Sequence, residues 1–236
     1  MLEIKHLTKT YGHVKAVDDL TLTIADGDIF GFIGHNGAGK TTTIKAVVGI
    51  HDFDQGEILI NGISIKSDPI ACKRQTAYIP DNPDLYEFFT GIKYLNFVAD
   101  IFDVSKSDRG ERIEKYAAAF GIKDDLASPI LSYSHGMKQK LAIISMLIHN
   151  PRLLVLDEPF VGLDPKAAFT LKEYFRQLTA AGAAIFFSTH GLEVAQKLCN
   201  KIAIIKNGRL VEAGLIDEIV GKQSLEDVFM ELTENE

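Results

Sequence analysis

Three short segments of this chain carry residue types that together can manage phosphate chemistry. The first, Gly34-His35-Asn36-Gly37-Ala38-Gly39-Lys40-Thr41, fits the pattern G-x-x-x-x-G-K-[ST]. Glycines let the backbone curl so that its N–H groups point inward, and the N-terminus of a following helix adds the positive end of its dipole. In such a loop Lys40 reaches the β- and γ-phosphates of a nucleotide, the Thr41 hydroxyl sits on Mg2+, and Thr42 follows as a further binding residue. The second segment, Leu153-Leu154-Val155-Leu156-Asp157-Glu158, is an apolar run that ends in two carboxylates. Ligands of α/β sheets gather at the carboxyl ends of strands, which sets this pair beside the phosphate loop. Successive strand residues face differently, so the pair can divide labour, with Asp157 in the Mg2+ shell and Glu158 polarising the attacking water. The third segment, Ala183 to His190, delivers a histidine to the same edge, in reach of the γ-phosphate region. Taken singly, each has a plainer reading: a Gly-rich turn, a solvated acidic turn before Pro159, a structural histidine. Together they favour a nucleotide site.

The elements that must hold these residues are legible in the apolar pattern. Ile29-Phe30-Gly31-Phe32-Ile33 reads as a buried strand entering the loop, and Thr42 to Val48 has helical character after it. Leu153–Leu156 and Ala183–Phe187 are short, continuous apolar runs of the kind found in parallel strands buried on both faces. Leu20 to Ile24 alternates apolar and polar residues. Asn61-Gly62 and Asn207-Gly208 lie between apolar runs and predict antiparallel hairpins, because both central residues of such a turn need positive φ. Between these regions the period becomes helical. Ile92, Leu95, Val98 and Phe102 form one stripe, and Ile113, Tyr116, Ala117 and Phe120 form another, with Gly121 as its stop. A third helix starts near Ser134 and presents Met137, Leu141, Ile144 and Ile148 on one face. The pattern predicts an α/β core with a small antiparallel sheet and a helical lobe at about residues 85–146.

Composition narrows the function. The 236 residues include 25 Lys and Arg against 32 Asp and Glu, a net charge of −7, with 46% hydrophobic and 24% charged residues. An acidic balance argues against a chain whose main task is gripping nucleic acid, since phosphate-backbone binding needs a basic field. Cys72 and Cys199 stand far apart with no partner at ligand spacing, so neither a zinc site nor a disulfide framework is expected. Met1 to His6 lacks the apolar run of a signal peptide. The most apolar stretches, such as Leu141 to Ile148, are far shorter than the ~18–20 residues of a membrane-spanning helix. If the protein serves a membrane, another chain crosses it.

One further stretch gives these motifs a family. Leu131-Ser132-Tyr133-Ser134-His135-Gly136-Met137-Lys138-Gln139 resembles the signature of ATP-binding subunits of ABC transporters, where Leu-Ser-Gly-Gly-Gln is usual, and Ser134 stands 23 residues ahead of Asp157. Position by position, Tyr133 takes the Leu place, Ser134 the Ser, His135 the first Gly, Gly136 the second and Met137 the Gln. The resemblance covers nearly the whole chain. It implies a P-loop NTPase core with a mostly parallel sheet, an N-terminal antiparallel β subdomain and a helical subdomain, in a single ABC-type ATPase domain over residues 1–236.

The same likeness assigns further roles. Tyr11 sits where the family stacks an aromatic ring on adenine, and an edge-strand tyrosine is the plainer alternative. Phe160 to Pro165 resembles the loop through which two subunits communicate. Ala77-Tyr78-Ile79-Pro80-Asp81 resembles a loop that usually ends in Gln, and places Asp81 among the metal ligands or, more simply, in a turn. The likeness implies ATP and Mg2+ as ligands, a homodimer in which Ser134, His135, Gly136 and Met137 of one copy complete the other's site, and a separate integral membrane partner. It also implies a peripheral position on the cytoplasmic face of the cell membrane. The ending Ser224 to Thr233 is similar to the export branch, and reads as an amphipathic helix with Leu225, Val228, Phe229 and Leu232 on one face. The competing classes are a soluble ABC-type ATPase of translation or DNA handling, and a P-loop small-molecule kinase. The first is disfavoured by the acidic balance and the lack of a long heptad insertion. The second leaves Ser134 to Gln139 without a role.

Overall fold

The structure is a computed structural model that describes residues 1–234. The N-terminal part contains β1 (Leu2–Tyr11), β2 (Val14–Ile24), β3 (Ile29–Ile33), α1 (Lys40–Val47), β4 (Gln55–Ile60), β5 (Ile63–Ser64), α2 (Pro69–Arg74) and β6 (Thr76–Ile79). Helices α3 (Gly91–Ile101), α4 (Lys106–Phe120) and α5 (His135–Ile148) follow. The chain then returns through β7 (Leu153–Asp157), α6 (Pro165–Ala180), β8 (Ala184–Thr189), α7 (Leu192–Leu198), β9 (Lys201–Lys206) and β10 (Arg209–Leu215) to α8 (Ile216–Val220) and α9 (Leu225–Glu234).

Two sheets result. An antiparallel sheet runs β2-β1-β4-β5, and a six-stranded sheet runs β10-β9-β3-β8-β7-β6. In the larger sheet every pairing is parallel except β9 with β10. Both Asn-Gly hairpins form as their chemistry demands: Asn61 and Gly62 have φ of 51° and 77°, and Asn207 and Gly208 have 50° and 79°.

The strands of the large sheet sort their side chains by the two-residue period. Phe30, Phe32, Val155, Phe186, Ala203 and Ile205 join one core with Ile44 and Val47 of α1 and the inner face of the antiparallel sheet. Ile29, Ile33, Leu154, Leu156, Phe187 and Ile204 join the other, beneath α4, α5 and α6. Burial on both faces is why β3, β7 and β8 read as unbroken apolar runs. Their carboxyl ends therefore reach one edge of the sheet together.

Helices α3 to α6 begin at side-chain caps. The hydroxyls of Thr90, Ser105 and Ser134 and the carboxylate of Asp164 accept N–H groups from the first turns of α3, α4, α5 and α6. Gly121 ends α4 in the left-handed conformation, with φ of 69°. Helix α5 departs from the expected single apolar face. Every residue from Leu141 to Ile148 is buried, because α3 and α4 flank it on one side and β6 on the other. An amphipathic stripe is the mark of a helix at the surface, and α5 lies between layers.

At the end of α5, His149 stacks on Phe102 with ring centroids 3.7 Å apart and planes 12° from parallel. Burial pushes its imidazole down to about 4 from 6.5. The unfolded chain takes up a proton near the ordinary histidine value, whereas the folded protein does so only near the depressed one. Stability from this group is therefore present above about pH 6.5 and lost as pH falls toward about 4. Urea unfolding at pH 6.5 and pH 4 should show the parent losing about 2–3 kcal/mol more than His149→Gln across that window. Equal losses would show that this imidazole is not held neutral by burial.

Candidate functional site

The loop between β3 and α1 is a backbone cradle whose shape depends on two glycines. A Cβ at Gly34 would meet the Ile205 carbonyl oxygen at 2.6 Å, and one at Gly39, where φ is +106°, would meet that of Ala16 at 2.3 Å. The hairpin between β9 and β10 braces the loop from outside, with Gly208 N–H donating to the Ala38 carbonyl at 2.9 Å and Asp18 N–H to that of Gly208 at 2.9 Å. Lys40 begins α1 and is only 7% exposed. Its ammonium donates to the carbonyls of Gly34 at 2.6 Å and His35 at 3.0 Å. Burial pulls the Lys40 ammonium below its ordinary value, and the negative charges of Glu158 and Asp157 oppose that shift.

The ends of β7 and β8 supply the other side. Asp157 is 2% exposed, and both its oxygens are engaged: Thr41 Oγ1 donates to Oδ2 at 2.7 Å, and Ser188 Oγ donates to Oδ1. Glu158 turns out of the strand at φ of +50°, in the left-handed region. Its N–H is shared between the Ser188 carbonyl and hydroxyl oxygens, each at 3.2 Å, and its Oε1 lies 2.9 Å from His190 Nδ1. Asp157 thus points to the loop and Glu158 to His190.

A cavity of about 220 Å3 opens between these parts, walled by loop residues Asn36, Gly37, Gly39, Lys40, Thr41 and Thr42 together with Ala16, Asp81, Asp157 and Glu158. Asp81 therefore shares a wall with the carboxylate pair. Gly34 and Ala38 lie beneath the loop surface, buried. His35 turns its ring to Phe229 of α9, with centroids 4.8 Å apart, while its carbonyl receives Lys40. Tyr11 stands at the β1–β2 turn, 47% exposed, edge-on to His51 at 6.4 Å and with the Lys9 ammonium 5.1 Å from its ring. It does not wall this cavity.

The residues from Tyr133 to Gln139 lie elsewhere. Tyr133 is buried and donates its hydroxyl to the Asp125 carbonyl at 2.7 Å. Ser134 caps α5, accepting the Met137 N–H at 3.3 Å. The loop from Phe160 to Asp164 packs directly against this helix start. A Cβ at Gly136 would lie 2.8 Å from the Gly162 carbonyl oxygen, and one at Gly162, where φ is +78°, would lie 2.6 Å from His135 Cδ2. Lys140 pairs with Asp164 at 2.6 Å, and this contact, with the Ala167 N–H, holds the Asp164 carboxyl below its ordinary value.

The family model described as ABC transporter matches residues 17–161. The chain belongs to that family. Its whole length aligns with the ABC-type transporter ATP-binding protein EcsA of Bacillus subtilis at 33% identity, covering 98% of that protein. The uncharacterised ABC transporter ATP-binding protein YhcH of the same organism is 37% identical over 90% of this chain and 69% of its own. A solved structure described as the ATP-binding subunit of an ABC transporter superposes with a TM-score of 0.95 at 36% identity, over 98% of this chain and 99% of that one. This ABC ATPase binds and hydrolyses ATP as the ATP-binding subunit of an ABC transporter.

Sequence reasoning about the ABC ATPase missed Ser188, which binds the Asp157 carboxylate and the Glu158 backbone N–H, and the backbone of Ala16 and Gly208, which shape the loop from outside. A signal for Ser188 was available: it is a hydroxyl at the end of an otherwise apolar run, two residues before His190. The contact between His135 and Gly162 gives a test. Gly162→Ala should cost about 1–3 kcal/mol, from the strained φ and the collision with the ring. Combining it with His135→Gly should recover the collision part. A double-mutant cycle by urea denaturation should therefore return a coupling of at least about 0.5 kcal/mol, and strict additivity would remove the contact.

Proposed function

We propose that two copies of this ABC ATPase close on two ATP molecules, and that closing and reopening drive a separate membrane-spanning chain in the direction of export, from the cytoplasmic face of the membrane. The observation that carries the reading is the separation of two sets of residues. The cavity at the phosphate loop gathers Lys40, Thr41, Asp81, Asp157 and Glu158, whereas Ser134, His135, Gly136 and Met137 do not wall it within the same chain. Ser134 and Gly136, on a capped helix start, are suited to reach the γ-phosphate bound by a second copy. Because one chain carries both halves, a homodimer has two equivalent sites. Among the described residues no helix is long and apolar enough to cross a membrane, so in this reading the crossing falls to the partner. The α9 segment, through its likeness to the export branch, supports the direction.

Within that reading Lys40 exchanges the loop carbonyls for β- and γ-phosphate oxygens. Thr41 and Asp157 would hold Mg2+, with Asp81 added to them. The donor set fits: a hydroxyl and carboxylates at one cavity offer only oxygen, and Mg2+ is usually held by one or two carboxylates and the substrate's phosphates. Held there, Mg2+ would supply positive charge to the phosphate oxygens. Glu158 polarises the attacking water. Its contact with His190 Nδ1 orients the ring and leaves the other nitrogen for the γ-phosphate.

Lys40→Ala should lose tight ATP binding, measured by titration calorimetry. Glu158→Gln should keep it while hydrolysis falls about 100-fold or more. With ATP and Mg2+ the Glu158→Gln protein should elute as a dimer in size-exclusion chromatography. Hydrolysis at the parent rate would overturn the role of Glu158, and a persistent monomer would overturn the sandwich.

A further inference from the structure

Ser188 is fully buried at the carboxyl end of β8, after the apolar residues Ala184 to Phe187. A hydroxyl placed so deep costs stability unless its hydrogen and its lone pairs are used. Here both are. The hydroxyl donates to Asp157 Oδ1 and accepts the Glu158 N–H at 3.2 Å, and the Ser188 carbonyl accepts the same N–H at 3.2 Å. Strand register puts the residue there, since Ser188 is the partner of Asp157 across the β7–β8 ladder.

The geometry assigns Ser188 as the positioning residue that fixes the plane of the Asp157 carboxylate and the backbone turn of Glu158 at once. The inference rests on the proposed division of labour between those carboxylates. Asp157 has two side-chain partners, Thr41 and Ser188. In that division Thr41 would give its hydroxyl to the metal, and Ser188 would remain the side chain that keeps Asp157 from rotating. Glu158 stands at φ of +50°, a conformation that a non-glycine residue holds only when its surroundings fix it. The two Ser188 oxygens on its N–H supply that constraint, and the side chain beyond the turn reaches His190. One hydroxyl therefore joins the carboxylate that would hold the metal to the backbone turn from which the water-directing side chain of Glu158 projects.

The test compares the parent, Ser188→Ala and the hydroxyl-retaining Ser188→Thr. Mn2+ binding is followed by electron paramagnetic resonance with a non-hydrolysable ATP analogue, and kcat and KM are measured with Mg-ATP. Losing the hydrogen-bond partner of a ligating carboxylate weakens metal affinity about 10–100-fold. Ser188→Ala should therefore weaken Mn2+ binding by about tenfold or more, raise KM for Mg-ATP and lower kcat by similar factors, and leave metal-free analogue binding unchanged. Ser188→Thr should restore all three. Mn2+ affinity and kcat of Ser188→Ala at the parent values would overturn the assignment, as would an equal loss of metal-free analogue binding. Should Ser188→Ala melt early, Ser188→Cys, of similar shape and with a feeble donor, takes its place under the same criteria. A parent that binds Mn2+ and analogue normally while Glu158→Gln hydrolyses ATP at full rate would instead fault the division of labour.

Discussion

The site depends on a strand alignment that brings distant parts of the chain together, Thr41 Oγ1 within 2.7 Å of Asp157 Oδ2 across 116 residues of sequence. Strands β3, β8 and β7 lie side by side, parallel and in register, so that the loop after Ile33, the hydroxyl of Ser188 and the carboxylates of Asp157 and Glu158 come to one edge. A parallel sheet of this kind must be apolar on both faces, and the two clusters of the core meet that demand with alternate residues of the same strands. Polar groups are admitted only where the strands end. Packing thus decides where chemistry can be.

Electrostatics at that edge is a balance of opposed terms. Lys40 is nearly buried, which weakens its charge, and the neighbouring carboxylates sustain it. Its ammonium rests on two carbonyls of its own loop, so the cradle keeps its shape through contacts that a phosphate can replace. In the proposed dimer the second half of the chemistry lies on the start of α5, which is tied to the loop after β7 by the Lys140–Asp164 pair and by the close fit of His135 and Gly136 against Gly162. That loop begins at Glu158. Movement at the carboxylates and movement at the helix start share one short stretch of backbone, from Glu158 to Asp164. In an ATPase that closes on a second copy, this stretch is the physical route between the two halves.

What could be read in the sequence was what local backbone chemistry dictates. Asn61-Gly62 and Asn207-Gly208 announced their hairpins through positive φ, Ser134 its helix cap, and Gly34 to Thr41 the cradle, because each motif acts within a few residues. The pairing of Asp157 with Ser188 was not legible, since it follows from which strand lies beside β7, a fact of tertiary order. The same is true of His35, whose ring meets Phe229 from the far end of the chain, and of α5, whose apolar surface continues all round because layers enclose it. Tyr11 stands at an exposed turn beside His51, a residue 40 positions on whose approach the motif around Tyr11 does not announce.

The central claim is that each site is completed by a second copy. Mixing two variants tests it most directly: Lys40→Ala, which disables the phosphate loop, and Ser134→Arg, which blocks the helix start. Each should be nearly inactive alone, because a homodimer of either has no intact site. In the mixture, the loop of the Ser134→Arg copy faces the intact Ser134 of the Lys40→Ala copy, so one working site forms and ATP hydrolysis returns. A mixture no more active than its parts would contradict the account.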